Sequence, residues 1–344
     1  MNIDFNKYDK YNMLNIIENF HQQITESFDI VDTMNSISSS NINVNNIKNI
    51  IFCGMGGSSI GSAFVKNLIE DDINIPMFIN NDYTLPKWVD ENTLVVITSY
   101  SGDTEETISN YNKAINQNAS LCIITSGGYL IEQAKINNIP FCLIPLGYPP
   151  RTAFGFMSSI IILILNKFNI IKDSLIKDLN EVPKTLVKCR DNYLRKDNSK
   201  ALKLAESLYQ KNPIIYSSPL TKSIGYRFKC QLSENSKVLS YYHSLPELNH
   251  NDVEGYLNLK NSYDDYSIIW LQDKEDDLRI TENIKLTSNA LSFIESQDFV
   301  SFKDVSFIGR QYHMLYFLDI VSFYLSYLYK TDPTPIKIIN KIKL

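Results

Sequence analysis

Short apolar runs without polar interruptions are the feature that most restricts the fold of this chain. In the first half they lie at residues 49–54, 76–80, 93–98, 121–125 and 140–145. Residues with helical spacing follow several of these runs, at about 59–70, 104–117, 129–136 and 153–168. Strands that are apolar on both faces and alternate with helices are typical of parallel sheets covered on both sides. We therefore predict an α/β fold built on a doubly wound parallel sheet.

The same rhythm returns in the second half, so the sequence predicts two similar domains related by duplication. The predicted strands are residues 212–218, 237–242, 266–273 and 299–302, with helices at about 221–233, 278–294 and 310–329. A single leading helix is predicted from about residue 8 to residue 37. A length of 344 residues suits two domains of ordinary size. We predict an N-terminal helical segment (1–48), a first domain (49–170), a helical bridge (171–211) and a second domain (212–344).

A glycine and serine loop directly follows the first predicted strand. It contains four of the chain's 12 glycines, interleaved with serines: Gly54, Gly56, Gly57, Ser58, Ser59, Gly61 and Ser62. Such a loop at a helix start presents N–H groups and hydroxyls to an anion. It is not a P-loop, because Ser62 stands where a lysine is required, and Ser59 breaks the dinucleotide fingerprint. The loop alone indicates either an anion site or a tight structural turn.

A second hydroxyl-rich turn follows the strand at residues 93–98. Ser99, Ser101 and Thr104 lie where that strand leads into a helix, which suits a phosphate monoester. Asp103 and Glu106 fit a capping box, a purely structural arrangement. Because the carboxyl ends of parallel strands meet at one edge of a sheet, both turns are predicted to lie where α/β sheets bind ligands.

Composition and spacing exclude several other classes of function. A net charge of −5 offers no broad basic face, so we predict no nucleic-acid partner. The five cysteines lack paired spacing and are predicted to be reduced, and the four histidines show no zinc-binding pattern. The longest apolar run, residues 160–165, is far too short to cross a bilayer. With a polar N-terminus, the chain is predicted to be cytoplasmic and not to bind membranes.

Two residues of the second half have the chemistry of acid–base catalysis. Glu234 lies in QLSENSK and His250 in PELNHND, sixteen residues later. Moving a proton between adjacent carbons requires one base and a second donor or acceptor. On residue type alone, an exposed carboxylate at a helix end and a surface histidine are the more common explanations.

Three segments carry a resemblance to a known family. GMGGSSIG (54–61) and SYSGDTEET (99–107) resemble the signature of sugar-isomerase (SIS) domains, and PPRTAFG (149–155) is similar to a segment of bifunctional phosphoglucose/phosphomannose isomerases. The resemblance spans both halves of the chain. It implies two flavodoxin-like SIS domains, with the active site between them and completed by a second subunit. It also implies isomerisation of glucose 6-phosphate and mannose 6-phosphate to fructose 6-phosphate through an enediol, without a metal or cofactor.

The resemblance further implies a role for individual residues. Glu234 corresponds to the base that moves the C1/C2 proton, and His250 to a ring-opening group that reaches the site from the partner of a homodimer. Arg151 corresponds to a cation that holds water or stabilises the enediolate. A lysine near the C-terminus also takes part in ring opening, and Lys343 fits better than Lys341. The phosphate group is expected to bind Gly57, Ser58, Ser99, Ser101 and Thr104.

Two acidic residues, Glu247 and Asp252, lie close to His250 in the sequence. Glu247 is a neighbour of the expected site with a structural role as its simplest reading, and Asp252 stands where the family often has glutamate. One alternative function is another SIS-type sugar-phosphate isomerase, which the two-domain length and the second-half motifs disfavour. The other is a non-catalytic sugar-phosphate sensor, which would be expected to have lost Glu234 and His250.

Overall fold

The computed structural model describes residues 7–34, 42, 44–194, 198–259, 262–303 and 306–342. Within it the chain divides into two compact units. The first unit comprises Phe20–Pro183, and the second comprises Met1–Asn19 together with Lys184–Leu344. The four-segment domain division stays a prediction.

The N-terminal helix is interrupted, so the prediction of one continuous helix is wrong. Helix α1 (Met13–Glu18) belongs to the second unit, and helix α2 (Phe20–Asp32) begins the first. At the break, both the backbone N–H and the side-chain amide of Asn19 donate to the carbonyl of Asn15. An asparagine side chain that competes for a helical carbonyl in this way favours the end of a helix. The last residues of the predicted helix, 35–37, lie outside the described residues.

The sheet of the first unit is wholly parallel. Its strands are β1 (Asn49–Gly54), β2 (Met77–Asn80), β3 (Thr93–Ser99), β4 (Ser120–Thr125) and β5 (Phe141–Leu143). They lie in the order β2-β1-β3-β4-β5. This is the flavodoxin-like order, in which ligands bind outside the carboxyl ends of the strands where the order reverses, between β1 and β3.

Helices pack on this sheet through the apolar faces that the sequence predicts. They are α3 (Gly56–Ile69), α4 (Glu105–Asn116), α5 (Gly128–Ile136) and α6 (Phe154–Lys167). Every side chain of α6 from Phe154 to Leu165 is buried, and α2 packs against it. A core cluster joins strand residues such as Val95 and Ile123 to Tyr111 of α4 and Leu130 of α5. The helices therefore hold the carboxyl ends of β1 and β3 in fixed positions.

The second unit repeats this order with four parallel strands. Helix α7 (Asp173–Tyr193) contains the boundary between the units, and α8 (Lys200–Leu208) follows it. The remaining elements are β6 (Asn212–Ser217), α9 (Lys222–Gln231), β7 (Tyr241–Ser244), β8 (Tyr266–Leu271), α10 (Leu278–Ala290), β9 (Gln297–Val300), α11 (Phe307–Leu328) and α12 (Lys337–Ile342). The strand order is β7-β6-β8-β9. Two parallel sheets flanked by helices confirm the predicted fold class.

One strand of the second unit begins later than predicted. The sequence predicts a strand at residues 237–242, whereas β7 covers Tyr241–Ser244. Lys237 has a left-handed backbone (φ 60°), and Leu239 is 88% exposed. The apolar residues Val238 and Leu239 lead to the prediction of a strand here. They lie instead in the connection between the turn at Leu232–Ser236 and β7.

Two absences hold for the part of the chain that the structure describes. None of its helices is long and apolar enough to cross a membrane. None of its His, Cys, Asp and Glu side chains form a group of three or more that could hold a metal ion.

Candidate active site

The glycine loop and the hydroxyl turn meet at the carboxyl edge of the first sheet. Strands β1 and β3 are direct neighbours, with Gly54 paired to Thr98 at their ends. The Thr98 hydroxyl donates to the carbonyls of Cys53 and Ser58, at 3.3 Å in both cases. It thereby joins the end of β3 to the first turn of α3. The structure therefore brings together the two loops that the sequence predicts to bind an anion.

Glycines in the first loop allow other backbone segments to approach closely. A Cβ atom at Gly54 would lie 2.5 Å from the Thr98 hydroxyl oxygen, and one at Gly61 would lie 2.9 Å from the Met157 Cβ atom. At Gly57 it would lie 2.9 Å from the Cα atom of Arg151 and 3.0 Å from the carbonyl oxygen of Pro150. Gly57 thus lets the turn that carries Arg151 lie directly against the start of α3.

The hydroxyls after β3 form a connected set. Ser99, which is 2% exposed, donates to the hydroxyl of Thr104 at 3.1 Å and accepts the N–H of Gly102 at 3.1 Å. The hydroxyl of exposed Ser101 lies 3.5 Å from that of Thr104. Thr104 is the residue that precedes the first turn of α4. Hydroxyls beside the N-terminal N–H groups of a helix are groups that can donate to an anion.

The capping box predicted for Asp103 and Glu106 is wrong. Thr104 takes the N-cap position of α4, without a side-chain capping bond. The Asp103 carboxylate instead accepts the N–H of Tyr129 at 2.8 Å, at the start of α5. Asp103 therefore joins the hydroxyl turn to the next loop along the sheet edge, a long-range contact that local spacing does not reveal.

Arg151 lies in a short 3-10 turn, Pro150–Thr152, between β5 and α6, and is only 4% exposed. A tyrosine that sequence reasoning missed, Tyr100, ties the preceding segment to the hydroxyl turn. Its phenol donates to the carbonyl of Pro145 at 3.0 Å and accepts the N–H of Tyr148 at 2.8 Å. Burial raises the pKa of Tyr100, so the phenol stays protonated and can serve both partners.

Glu234 lies on a π-helical turn, Leu232–Ser236, which extends α9. Turns of this kind occur frequently at functional sites. The two following residues anchor the turn to α11, since the Asn235 amide donates to the Ser322 hydroxyl at 3.0 Å and the Ser236 hydroxyl to the Ser322 carbonyl at 2.7 Å. Next along the chain, the Lys237 ammonium donates to the backbone carbonyl of Glu234. A half-buried carboxylate is thus held on a fixed turn.

Glu234 lines a cavity of about 1090 Å³ within the second unit. Its described walls come from residues 7–11, from the turn that carries Glu234, and from residues 330–339. Five lysines and two carboxylates line it: Lys7, Lys10, Lys237, Lys330, Lys337, Glu234 and Asp332. All five lysines are exposed, and together they give the walls of this cavity a net positive charge beside the half-buried Glu234 carboxylate.

His250 is exposed at the end of a short 3-10 turn, Glu247–His250. It is not among the described residues that line the cavity with Glu234. The structure of one chain therefore does not bring Glu234 and His250 together in that cavity. The Glu247 carboxylate accepts from the Asn251 amide at 3.1 Å, which agrees with a structural role.

Asp252 stabilises the segment that follows His250. Its carboxylate accepts from the Tyr241 phenol at 2.7 Å and lies 3.0 Å from the Nδ1 atom of His243. The shorter acid in place of glutamate thus has two partners on β7. This pair gives His243 a structural role.

The lysine predicted near the C-terminus, Lys343, lies outside the described residues. The alternative, Lys341, is exposed on α12. Residues 335–339, at the start of this helix and just before it, line the Glu234 cavity. The C-terminal segment is therefore placed beside the candidate base.

Comparison with known proteins identifies the relatives of this chain. The family described as bacterial phospho-glucose isomerase C-terminal SIS domain matches residues 197–344. A bifunctional phosphoglucose/phosphomannose isomerase of Caldicellulosiruptor bescii is 34% identical over 337 residues, which are 96% of this chain and 98% of the relative. A protein of the same name from Aquifex aeolicus is 37% identical over 300 residues, covering 86% of this chain and 89% of the relative.

A solved structure shows the same fold. The C-terminal domain of glucosamine-fructose-6-phosphate aminotransferase from Francisella tularensis superposes with a TM-score of 0.77 at 14% identity. The superposition covers 97% of this chain and 100% of that chain. At this identity the likeness concerns the fold alone.

Proposed function

This chain belongs to the family of bifunctional phosphoglucose/phosphomannose isomerases, and from this premise we propose that it interconverts glucose 6-phosphate, mannose 6-phosphate and fructose 6-phosphate. The observation that carries the proposal is the position of Glu234, a carboxylate on the wall of a lysine-rich cavity. A base beside cationic groups is what an isomerisation through an enediolate requires.

In the proposed reaction, the phosphate group binds to the glycine loop and the hydroxyl turn. The N–H group of Gly57 and the hydroxyls of Ser58, Ser99, Ser101 and Thr104 are its donors. The Ser99 hydroxyl has one hydrogen and donates it to Thr104 at 3.1 Å, so binding requires this hydrogen to rotate from Thr104 towards the phosphate. Binding energy at the phosphate then serves to orient the distant C1 and C2 atoms.

The proton transfer itself is assigned to Glu234. Its carboxylate removes the C2 proton of the open-chain aldose, and the electron pair forms the C1–C2 double bond of an enediolate. The same carboxyl group then returns the proton to C1, while the hydroxyl proton on O2 is transferred to O1, so that C1 carries a hydroxyl group and C2 becomes the carbonyl of fructose 6-phosphate. For mannose 6-phosphate, whose C2 configuration is opposite, rotation about the C2–C3 bond lets the same base reach the proton.

The remaining roles concern charge and ring opening. Arg151, held against Gly57, stabilises the negative charge of the enediolate or orients a water. His250 and Lys343 assist ring opening. The exposed position of His250, away from the described walls of the Glu234 cavity, supports its donation to the site of a partner chain in a homodimer.

The proposal is tested by a coupled assay of EDTA-treated protein with fructose 6-phosphate, in which glucose 6-phosphate and mannose 6-phosphate are measured separately. We expect the unmodified protein to form both products. Glu234→Gln should lower kcat by roughly 10²–10⁴-fold, the usual contribution of a general base. The matched control is Glu206→Gln, at an exposed position on α8 of the same unit, which should retain full activity.

Three outcomes of this assay would contradict parts of the proposal. If the unmodified protein forms neither product, these substrates are wrong, and another sugar phosphate or a binding role takes their place. If Glu234→Gln isomerises as fast as Glu206→Gln, the base is a different residue. Activity that EDTA abolishes and a divalent metal restores would contradict a reaction without metal.

A further inference from the structure

A buried glutamine on the N-terminal helix contacts the segment that carries Arg151. Gln23, on α2, is 1% exposed. Its Nε2 group donates to the carbonyl of Thr152 at 2.8 Å, and its Oε1 atom accepts the N–H of Gly155 at 3.0 Å. A buried polar side chain that satisfies both of its groups on one segment fixes that segment strongly.

The two bonds lie at a joint between two elements. Thr152 ends the 3-10 turn that contains Arg151, and Gly155 is the second residue of α6. The first N–H groups of a helix have no partner within it, and the residue before α6 supplies no side-chain cap. Gln23 therefore caps α6 from a different helix and holds the end of the Arg151 turn at the same time.

Gly155 makes room for this contact. A Cβ atom at Gly155 would lie 2.8 Å from both the Cβ and the Oε1 atoms of Gln23. On its other side, the turn lies against Gly57, where an added Cβ would be 2.9 Å from the Cα atom of Arg151. The turn that carries Arg151 is thus in contact with the start of α3 at Arg151 itself and with the Gln23 side chain at Thr152.

We propose that Gln23 is a positioning residue, which sets the place of Arg151 at the start of α3 and so acts on catalysis without touching the substrate. The inference rests on the proposed function, because Arg151 acts there on the enediolate. Gln23 belongs to a helix to which the sequence assigns only a packing role.

The amide chemistry of Gln23 makes the proposal testable with a nearly isosteric change. The Thr152 carbonyl can only accept and the Gly155 N–H can only donate, so the side chain must offer one donor and one acceptor. In Gln23→Glu, a protonated carboxyl group can reproduce both bonds, whereas a carboxylate cannot donate to Thr152. Burial raises the pKa of such a carboxyl group, so the variant is expected to resemble the unmodified protein at low pH and to lose this likeness as the pH rises.

The experiment measures kcat and KM for fructose 6-phosphate from pH 5.5 to 8.5 in three variants. Gln22→Glu is the matched control, since the adjacent residue on α2 is exposed. We expect the ratio of kcat between Gln23→Glu and Gln22→Glu to be near one at about pH 5.5 and to fall roughly ten-fold or more by pH 8, the effect of one unsatisfied buried group. KM should change much less. Gln23→Met, which keeps the bulk and is uncharged, should lose kcat equally at every pH.

Other titratable groups on or beside α2 do not affect this ratio. The titratable residues of α2 are His21, Glu26, Asp29 and Asp32. Tyr148 and Arg151 lie on the segment before α6, and Lys167 on α6 donates to the carbonyl of Val31. All of these groups are present in every variant. Their own titration therefore changes kcat of Gln23→Glu and kcat of Gln22→Glu alike and cancels in the ratio of the two.

Circular dichroism measures the pH range over which each variant is folded, and kcat values are compared only within that range. If both Gln23 variants have the kcat of Gln22→Glu throughout, even with a lower Tm, Gln23 contributes to stability alone and the proposal is overturned. An unmodified protein without isomerase activity overturns the proposed function, and the Gln23 inference with it. An active enzyme with unaffected Gln23 variants overturns the inference alone.

Discussion

Replacing Gly57 by alanine tests whether the close contact between the glycine loop and the Arg151 turn matters for the reaction. The new Cβ atom would lie 2.9 Å from the Cα atom of Arg151, 3.0 Å from the Pro150 carbonyl oxygen and 3.2 Å from the Arg151 nitrogen. All three are backbone atoms, so no flexible side chain can move aside. Because ordinary van der Waals contact begins near 3.4 Å, the turn must move by about 0.5 Å.

This displacement sets the expected loss. A misplacement of about 1 Å at a reacting group costs on the order of 100-fold in rate, so half of that corresponds to about ten-fold in kcat/KM. The additional packing strain should also lower the free energy of unfolding by about 1–3 kcal/mol.

The measurement is kcat/KM for fructose 6-phosphate at 25 °C, with circular dichroism to show that the variant is folded. The control is Gly255→Ala, where a Cβ atom would have no neighbour within 4 Å among the described atoms. A Gly57→Ala enzyme whose kcat/KM lies within about two-fold of this control would refute the positional reasoning.

Two further predictions concern stability and thiol chemistry. Asp273→Asn removes one of the two carboxylates that pair with the buried guanidinium of Arg310, at 2.9 Å, and leaves Glu275 at 2.8 Å, so the free energy of unfolding in urea should fall by about 1–3 kcal/mol. An unchanged urea midpoint would contradict a structural role for this pair. Burial raises the pKa of Cys53 and Cys142 to about 12 and that of Cys122 well above its ordinary value, so these thiols should not react with a disulfide reagent at pH 8 in the native state. The half-buried Cys230 should react first in the native protein. In denaturant all five thiols should react. Rapid reaction of three or more thiols in the native protein would contradict the burial of these cysteines.

Much of the fold follows from short-range patterns in the sequence. Parallel strands such as β3, which is buried along its whole length, must be apolar on both faces, and this signal survives without any knowledge of the partner strands. The glycine loop is equally visible, because Gly57 meets a steric requirement that no other residue can meet without displacing the backbone of Arg151. Features of this kind depend on a few adjacent residues.

Other features depend on contacts that the sequence does not display. Gln23 interrupts the apolar face of α2 and is buried only because its amide finds Thr152 and Gly155, about 130 residues away. Asp103 has the spacing of a helix cap but binds the N–H of Tyr129. The π-helical turn at Glu234 arises from the anchoring of Asn235 and Ser236 to Ser322, and it delays the start of β7. In each of these cases a polar group can bond either to a neighbour in the sequence or to a distant residue. The tertiary structure determines which bond forms.

The most direct test of the central claim follows the proton that Glu234 is proposed to move. The protein and its Glu234→Gln variant are incubated with fructose 6-phosphate in D₂O, and proton NMR measures both the exchange of the C1 proton and the formation of aldose 6-phosphates. We expect the unmodified enzyme to catalyse both, and the variant to lose both together by roughly 10²–10⁴-fold. A variant that still exchanges the C1 proton at the rate of the unmodified enzyme would show that another group removes it, and would contradict the assignment of Glu234 as the base.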